Sequence, residues 1–401
     1  MKFVQWTESH KTAIVDIPPC GFTYLAAGGE VPAAHPEGKP SSPALAENFA
    51  LRNEYFEVEI HEETGGLGRL KKPGRAPNRL SIQLGYRFPN ERVVRRGTEE
   101  QAEARSWYSQ MEMTGSRVIS AGPVVGELET TGHLIDQVNS ERLADYRLVY
   151  RVTRGRPILE IDVELEIARH PTGDPWSHYY ALRFAWNDST AALTRSLFQQ
   201  AQGLQLQRVE APDYLEIADS SQRTTLLFNG LPFHRHTEDR KWDTILVTEG
   251  ETRRKFKLAV AIDQAYPMLT SQEVFGELTC LPVTGTPAGG ESGWFFHCDS
   301  RNVLLLDITP VLPERVTYMG DHEFSSEESN APKRPTKGCL VRIMETEGRP
   351  VRAELRFVYT PLRGRKTDGE GMTVIDLPVE GDALVVHLSA FEIAWVEAYF
   401  G

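Results

Sequence analysis

The 401-residue sequence reads as all-β, a large antiparallel double sandwich followed by a smaller β-sandwich. Three observations lead there. Apolar and polar residues alternate with a period of two in segment after segment, the pattern of half-buried strands. Clusters of Gly, Pro, Asn, Asp and Ser punctuate those segments at short intervals. Nowhere is an apolar period of three to four sustained over a dozen residues. Neither long helices nor the strand–helix alternation that builds a parallel sheet or a (β/α) barrel is therefore expected.

Residues 11–25 (KTAIVDIPPCGFTYL) read as a strand, a Pro-Pro turn and a second short strand. The Pro-, Gly- and Ala-rich stretch 30–43 reads as an exposed linker. In 53–70 (NEYFEVEIHEETGGLGRL), Phe56, Val58 and Ile60 face one way and Tyr55, Glu57 and Glu59 the other. His61-Glu62-Glu63-Thr64-Gly65-Gly66 then gives a polar turn whose glycines can take positive φ, and Leu67 and Leu70 restart the apolar pattern.

Strands follow at 80–88 and 117–131, and the charged segment between them, 90–105 (NERVVRRGTEEQAEAR), reads as a short helix or a loop. The clearest hairpin comes next. Tyr146, Leu148, Tyr150 and Val152 alternate with Arg147 and Arg151, Arg154-Gly155-Arg156-Pro157 turns, and Leu159 to Ile167 alternate with Glu160, Asp162, Glu164 and Glu166. A helix would scatter those carboxylates round its circumference, whereas a strand gathers them on one wet face. Short strands continue at 179–186, 214–218, 224–229, 244–248 and 256–262. The Gly/Pro/Thr-rich stretch 276–293 marks a boundary, and 303–308, 339–345, 353–357, 384–388 and 392–399 form a final strand set interrupted by a polar mobile loop at 322–337. The expected division is 1–44 for N-terminal strands and linker, 45–280 for the large sandwich and 281–401 for the smaller one.

Composition bounds the function. Hydrophobic residues at 40% and charged ones at 25% are those of a soluble globular protein, and the length allows two or three domains with substantial cores. A net charge of −12 sets the average surface against nucleic acid and against anionic membranes as partners. No apolar run approaches the ~18 residues of a membrane span, and the first residues lack a signal peptide's apolar centre, so a cytoplasmic location is expected. Cys20, Cys280, Cys298 and Cys339 include no C-x-x-C pair, which argues for four buried free thiols over a zinc ribbon or a redox motif.

Several stretches in order resemble the region that follows the catalytic barrel in family 38 α-mannosidases. Residues 13–24 (AIVDIPPCGFTY) are similar to the segment leading out of that family's catalytic part, and 53–70 to its strand and T-G-G-L turn. Residues 146–166 resemble the central hairpin, and 176–188 (WSHYYALRFAWND) the aromatic segment after it. Residues 214–231 (YLEIADSSQRTTLLFNGL) are similar to a strand that runs through a turn to an L-x-N-G-x-P end. Residues 302–310 (NVLLLDITP), 338–348 (GCLVRIMETEG) and 388–399 (LSAFEIAWVEAY) resemble strands of the family's last sandwich.

The resemblance implies a galactose mutarotase-like supersandwich, a fold shared with sugar mutarotases and polysaccharide lyases. It also implies that the family's zinc, held by His and Asp, and its aspartate nucleophile sit in an N-terminal barrel. Only about 45 residues precede the first sandwich strand, whereas such a barrel needs roughly 200 or more. The single His297-Cys298-Asp299 lies deep in the C-terminal part and is read as chance. No cofactor is expected, zinc entering only with a barrel supplied in trans.

Three constellations remain. Trp176, His178, Tyr180 and Trp186 form the densest aromatic stretch, and sugar rings present apolar C–H faces that sit well on such rings. Tyr180, Phe184 and Trp186 also read as alternate core residues, which leaves Trp176 and His178, beside Pro175 in a loop, as the better binding candidates. In the second, His234 and His236 would share a face of an extended strand with Asp239 and Arg240 in the turn beyond, a possible zinc set or a solvated loop. In the third, Glu160, Asp162, Glu164 and Glu166 could suggest paired carboxylates, but four in a row on a wet face is ordinary solubility patterning. The expected function is a non-catalytic, carbohydrate-binding β-region of an α-mannosidase-like enzyme, with a mannose-containing glycan and a separate catalytic domain as partners. The alternative is a stand-alone carbohydrate-active enzyme, mutarotase- or lyase-like, with its site in the concave sheet.

Overall fold

A computed structural model describes residues 3–6, 11–25, 44–96, 99–285, 290–311 and 337–401. The linker expected at 30–43 and all but the last residue of the loop expected at 322–337 lie outside the described residues. The strand pairings among the described residues are antiparallel, so the chain is all-β as its alternation requires. It divides into two compact units, one of Met1–Ile14, Val31–Phe198 and Gln202–Glu277, the other of Val15–Glu30, Gln199–Ala201 and Leu278–Gly401.

Two sheets make the larger unit. A nine-stranded sheet runs Gln110–Ala121, Val125–Asp136, Glu141–Thr153, Ile158–Ile167, Lys255–Ile262, Arg223–Leu227, Tyr214–Ala218, Ala192–Leu197 and Gln200–Gly203. A ten-stranded sheet runs Arg208–Glu210, Phe233–Glu238, Lys241–Val247, Tyr179–Trp186, Leu80–Arg96, Leu67–Lys71, Glu57–Ile60, Ala50–Arg52 and Ala46–Glu47, with Glu99–Tyr108 added to the long strand. One residue in two from each sheet fills a shared core: Leu148, Tyr150, Ile161 and Val260 from the first, Leu84, Leu182, Phe184 and Trp242 from the second. Each such large side chain contributes about 1.5–3 kcal/mol by leaving water.

The smaller unit repeats the plan with a five-stranded and a four-stranded sheet around Val341, Ile343, Leu355, Leu384, Val386 and Val396.

Several details depart from expectation. Residues 90–96 and 99–105 are neither helix nor loop but parts of the paired strands Leu80–Arg96 and Glu99–Tyr108, whose register sets Arg96 opposite Glu99 and Arg95 opposite Glu100. Density of charge hid the pairing, because the alternation rule looks for apolar residues. The stretch 117–131 is two strands with a turn at 122–124. One helix does form, Pro267–Phe275, nine residues with Pro in its first turn and Met268, Thr270 and Ser271 buried; it is too short to show a period. Arg363–Thr367 and Thr373–Leu377 are further strands. Cys20 and Cys280 are exposed, and only Cys298 and Cys339 are half-buried, all four being free. Among the described residues no helix is long and apolar enough to cross a membrane.

The T-G-G-L turn joins the two large sheets. The Tyr146 hydroxyl donates to the Thr64 carbonyl at 2.7 Å, and the Gly65 carbonyl accepts from Thr130 at 2.9 Å and Tyr150 at 3.2 Å. Gly65 has φ +68°, and a Cβ there would lie 2.9 Å from the Tyr146 hydroxyl oxygen and 3.0 Å from the Thr130 Cβ. Gly65→Ala therefore meets both a left-handed penalty and a clash. We expect it to destabilise the chain by about 2–4 kcal/mol in denaturant unfolding; a change below about 0.5 kcal/mol would mean the turn is free to move.

A second clip joins the sheets. Arg79, its side chain 3% exposed, donates from both terminal nitrogens to Asp263, at 2.9 and 3.0 Å. Burial pushes the Asp263 carboxyl up, but bonds from Arg79, the Arg223 N–H and Lys72 outweigh it and hold it at about 2. An unfolded aspartate titrates near 3.9, so the folded chain binds this proton less tightly. Its stabilisation is complete above about pH 4 and is lost as pH falls through 2. Asp263→Asn, tolerated at φ +54°, should lower the unfolding midpoint at pH 7 and show a shallower loss between pH 4 and 2 than the parent. Parallel pH profiles for the two proteins would refute the clip.

Candidate functional site

On the ten-stranded sheet, the alternation that buries Tyr180, Leu182, Phe184 and Trp186 turns Tyr179, Ala181 and Arg183 to the opposite face. Register sets Gly85 opposite Ala181 and Arg87 opposite Tyr179 on one side, and Asp243 opposite Arg183 on the other. Arg235 lies opposite Asp243, and Arg208 opposite Arg235. One row across four strands thus reads Arg208, Arg235, Asp243, Arg183.

Asp243 is fully buried, and three donors neutralise it. Arg183 Nε reaches Oδ1 at 3.1 Å, while the hydroxyls of Tyr108 and Tyr179 reach Oδ2 at 2.7 and 2.8 Å. Leaving that carboxylate unpaired would cost several kcal/mol. Gly85 makes the arrangement possible, since a Cβ there would lie 3.0 Å from Arg183 Cδ and 3.6 Å from the Tyr108 ring. The Arg183 guanidinium lies 3.4 Å from the Tyr108 ring centre. Burial first, and the Asp243 charge second, push the Tyr108 phenol up to about 12 and that of Tyr179 higher still. Neither phenol is a base near neutral pH.

Asp243 forms no ion pair with Arg235 among the described residues, although the two are cross-strand neighbours. Arg235 donates instead to the Trp176 carbonyl, which also accepts from Arg87 at 3.0 Å; Arg87 reaches the Ser177 carbonyl at 3.1 Å. The loop carrying Trp176 is shaped by Asp174, whose carboxylate accepts from the Trp176 N–H at 3.1 Å and the Ser177 hydroxyl at 2.8 Å. Trp176 is half-buried on Tyr179, Ala181 and Ile245. Arg208 lies 5.4 Å from its ring centre, and Phe233, 46% exposed, meets it edge-on at 6.0 Å.

The sequence candidates therefore separate. Trp176 and His178 sit together in the loop, the His178 ring held on the Thr172 carbonyl. Tyr180 and Trp186 belong to the core, as their strand phase requires, and present almost no surface to a sugar. The Tyr180 hydroxyl is taken by the carbonyls of Leu143 and Arg169, and Trp186 stacks on His236 at 6.1 Å.

His234 and His236 do share a face, but it is the inner one, against Trp242. His234 is fully buried, its Nε2 on the Ala211 carbonyl at 3.0 Å and its Nδ1 on Thr244 at 3.1 Å. Burial pushes it down to about 3, and with both ring nitrogens engaged it has no lone pair to give a metal. Asp239 and Arg240 are exposed in the turn, Arg240 donating to the Asn187 carbonyl at 2.8 Å. Arg87, Tyr108, Arg183, Arg208, Phe233, Arg235 and Asp243 went unread in the sequence. The available signal was a charge inside an apolar strand, Arg183 in YYALRFAW and Asp243 in KWDTILV.

Asp243→Asn should cost about 3 kcal/mol in denaturant unfolding, because it strands Arg183. Tyr179→Phe, which removes one of three donors, should cost about 1 kcal/mol. Equal losses from the two would show that the carboxylate is not the hub.

No family model matches the chain, and no curated protein matches it in sequence. Solved structures do match its fold. An alpha-mannosidase from Enterococcus faecalis V583 superposes with a TM-score of 0.61 at 11% identity, covering 90% of this chain and 43% of that one. A protein in glycosyl hydrolase family 38 from Enterococcus faecalis gives 0.62 at 10% identity, covering 91% and 45%. The chain spans less than half the length of these proteins. Over nine-tenths of its own length its fold is like theirs.

Proposed function

We propose that the chain is a glycan-recognising, non-catalytic β-region of an α-mannosidase-like glycoside hydrolase, and that the face around Trp176 and Phe233 is its binding surface. The observation that carries this reading is the pairing of a half-buried indole, with the Arg208 guanidinium beside it, with a 46%-exposed phenyl ring. An apolar platform with directional donors at its edge is what a sugar's C–H face and ring hydroxyls require. The likeness to family 38 structures supports the saccharide class by fold alone.

A recognition role also suits the chemistry of the cluster. Asp243 is sealed beneath three donors and the Tyr108 phenol is pushed up to about 12, so neither offers a base to a substrate. The carboxylates of 160–166 are engaged elsewhere: Glu160 and Asp162 with Arg151, Glu164 with Lys255 and Arg147.

Titration of the chain with manno-oligosaccharides should give weak binding, with Kd on the order of 0.1–1 mM, weakened at least about tenfold by Trp176→Ala. Unchanged affinity in that variant would move the site elsewhere. Turnover of an aryl α-mannoside by the purified chain, with or without added zinc, would sink the non-catalytic reading.

A further inference from the structure

Arg208 and Arg235 face one another directly across the antiparallel pair Arg208–Glu210 and Phe233–Glu238. Side chains so placed have Cβ atoms about 4.5–5.5 Å apart, and like charges there are unfavourable. Neither arginine forms an ion pair among the described residues. None of the nearby carboxylates forms an ion pair with them among the described residues. Asp243 is fully buried and bonded to Arg183, Tyr108 and Tyr179. Asp174 is taken by the Ser177 hydroxyl and the Trp176 N–H, and its carboxyl is held below the usual range by those bonds first and by the field of Arg208 and Arg235 after them. Glu210, two residues along from Arg208 and opposite Phe233, is exposed and pairs with neither arginine among the described residues.

Both guanidiniums nevertheless meet the Trp176 loop. Arg208 lies over the Trp176 ring, and Arg235 is tied to the Trp176 carbonyl. A planar guanidinium with no ion-pair partner is suited to a bidentate anion.

We infer that the Trp176 platform takes an anionic saccharide, its ring on Trp176 and Phe233 and its carboxylate or sulfate ester on Arg208 and Arg235. The inference rests on the reading of this face as a glycan surface and narrows it to a ligand class. Glu210, on the Phe233 side, is then an acceptor for sugar hydroxyls. Because the whole chain carries −12, attraction is confined to the short range of the two arginines and is screened by salt.

The test is calorimetric titration of the full chain with oligomannuronate, with a neutral manno-oligosaccharide of equal length and with its sulfated form. At low salt the acidic ligands should bind about tenfold or more tightly than the neutral one, and the gap should shrink several-fold by about 0.2 M salt. The sulfated form separates ester from carboxylate recognition. Arg208→Gln alters an exposed side chain and should cut the preference severalfold, and adding Arg235→Gln should bring it near one, with melting curves checking the fold of each. Neutral and acidic sugars bound alike would overturn this inference and leave the platform reading standing. Failure of every sugar to bind would overturn both. Displacement of oligomannuronate by a single-stranded oligonucleotide of equal affinity would make the pair a general polyanion site and overturn the saccharide assignment.

Discussion

A carboxylate with no exposed surface has to be neutralised where it stands, and on the outer face of the ten-stranded sheet Asp243 is that carboxylate. Its demand for donors fixes Arg183, Tyr108 and Tyr179. It also fixes Gly85, because any side chain there would meet Arg183. Arg235, the neighbour of Asp243 across the strands, donates to the Trp176 carbonyl. The Trp176 loop is tied to the same row of the sheet through the Arg235 guanidinium, and to the strand beside it through Arg87.

The inner faces leave no room for such a device. They interdigitate Leu148, Tyr150, Ile161 and Val260 with Leu84, Leu182, Phe184 and Trp242, and the buried histidine among them, His234, has both ring nitrogens engaged. Burial at native density excludes a ligand as effectively as it excludes water. Recognition by these sheets therefore falls to outer faces and loops. The outer face of the nine-stranded sheet shows the ordinary outcome: Arg147 and Arg151 are tied to Glu127, Glu129, Glu160, Asp162 and Glu164. The Trp176 face differs because its guanidiniums outnumber the carboxylates available to them.

The fold was legible in the sequence because its determinants are periodic. Alternation in 146–167 and 179–186 fixes strand, phase and buried face at once, and the two glycines of the T-G-G-L turn announce a tight reversal. The strand pairing within 90–105 was hidden because its strands carry charge where the rule looks for apolar residues. The helix was hidden because nine residues are too few to repeat. The site was half legible. Trp176 could be found, since an aromatic beside Pro175 in a loop is conspicuous. Its partners could not, because Arg208, Arg235, Asp243 and Arg183 come from four strands and meet only through register. The same alternation that recommended Tyr180 and His234 as aromatic or imidazole candidates is what buries them.

This division explains how a chain can share its fold with proteins that are 10–11% identical to it. Alternation, turn glycines and core volume are satisfied by many sequences, since any β-branched or aromatic residue of suitable size serves at an inward position. A row such as Arg208, Arg235, Asp243, Arg183 is satisfied by fewer, since replacing Arg183 strands the buried Asp243 charge and replacing Asp243 strands Arg183. Fold likeness at this distance therefore reports the first kind of constraint and is silent on the second. What the chain recognises has to be argued from its own outer-face residues, and there the unequal pairing of guanidinium and carboxylate around Trp176 is the feature the fold does not require.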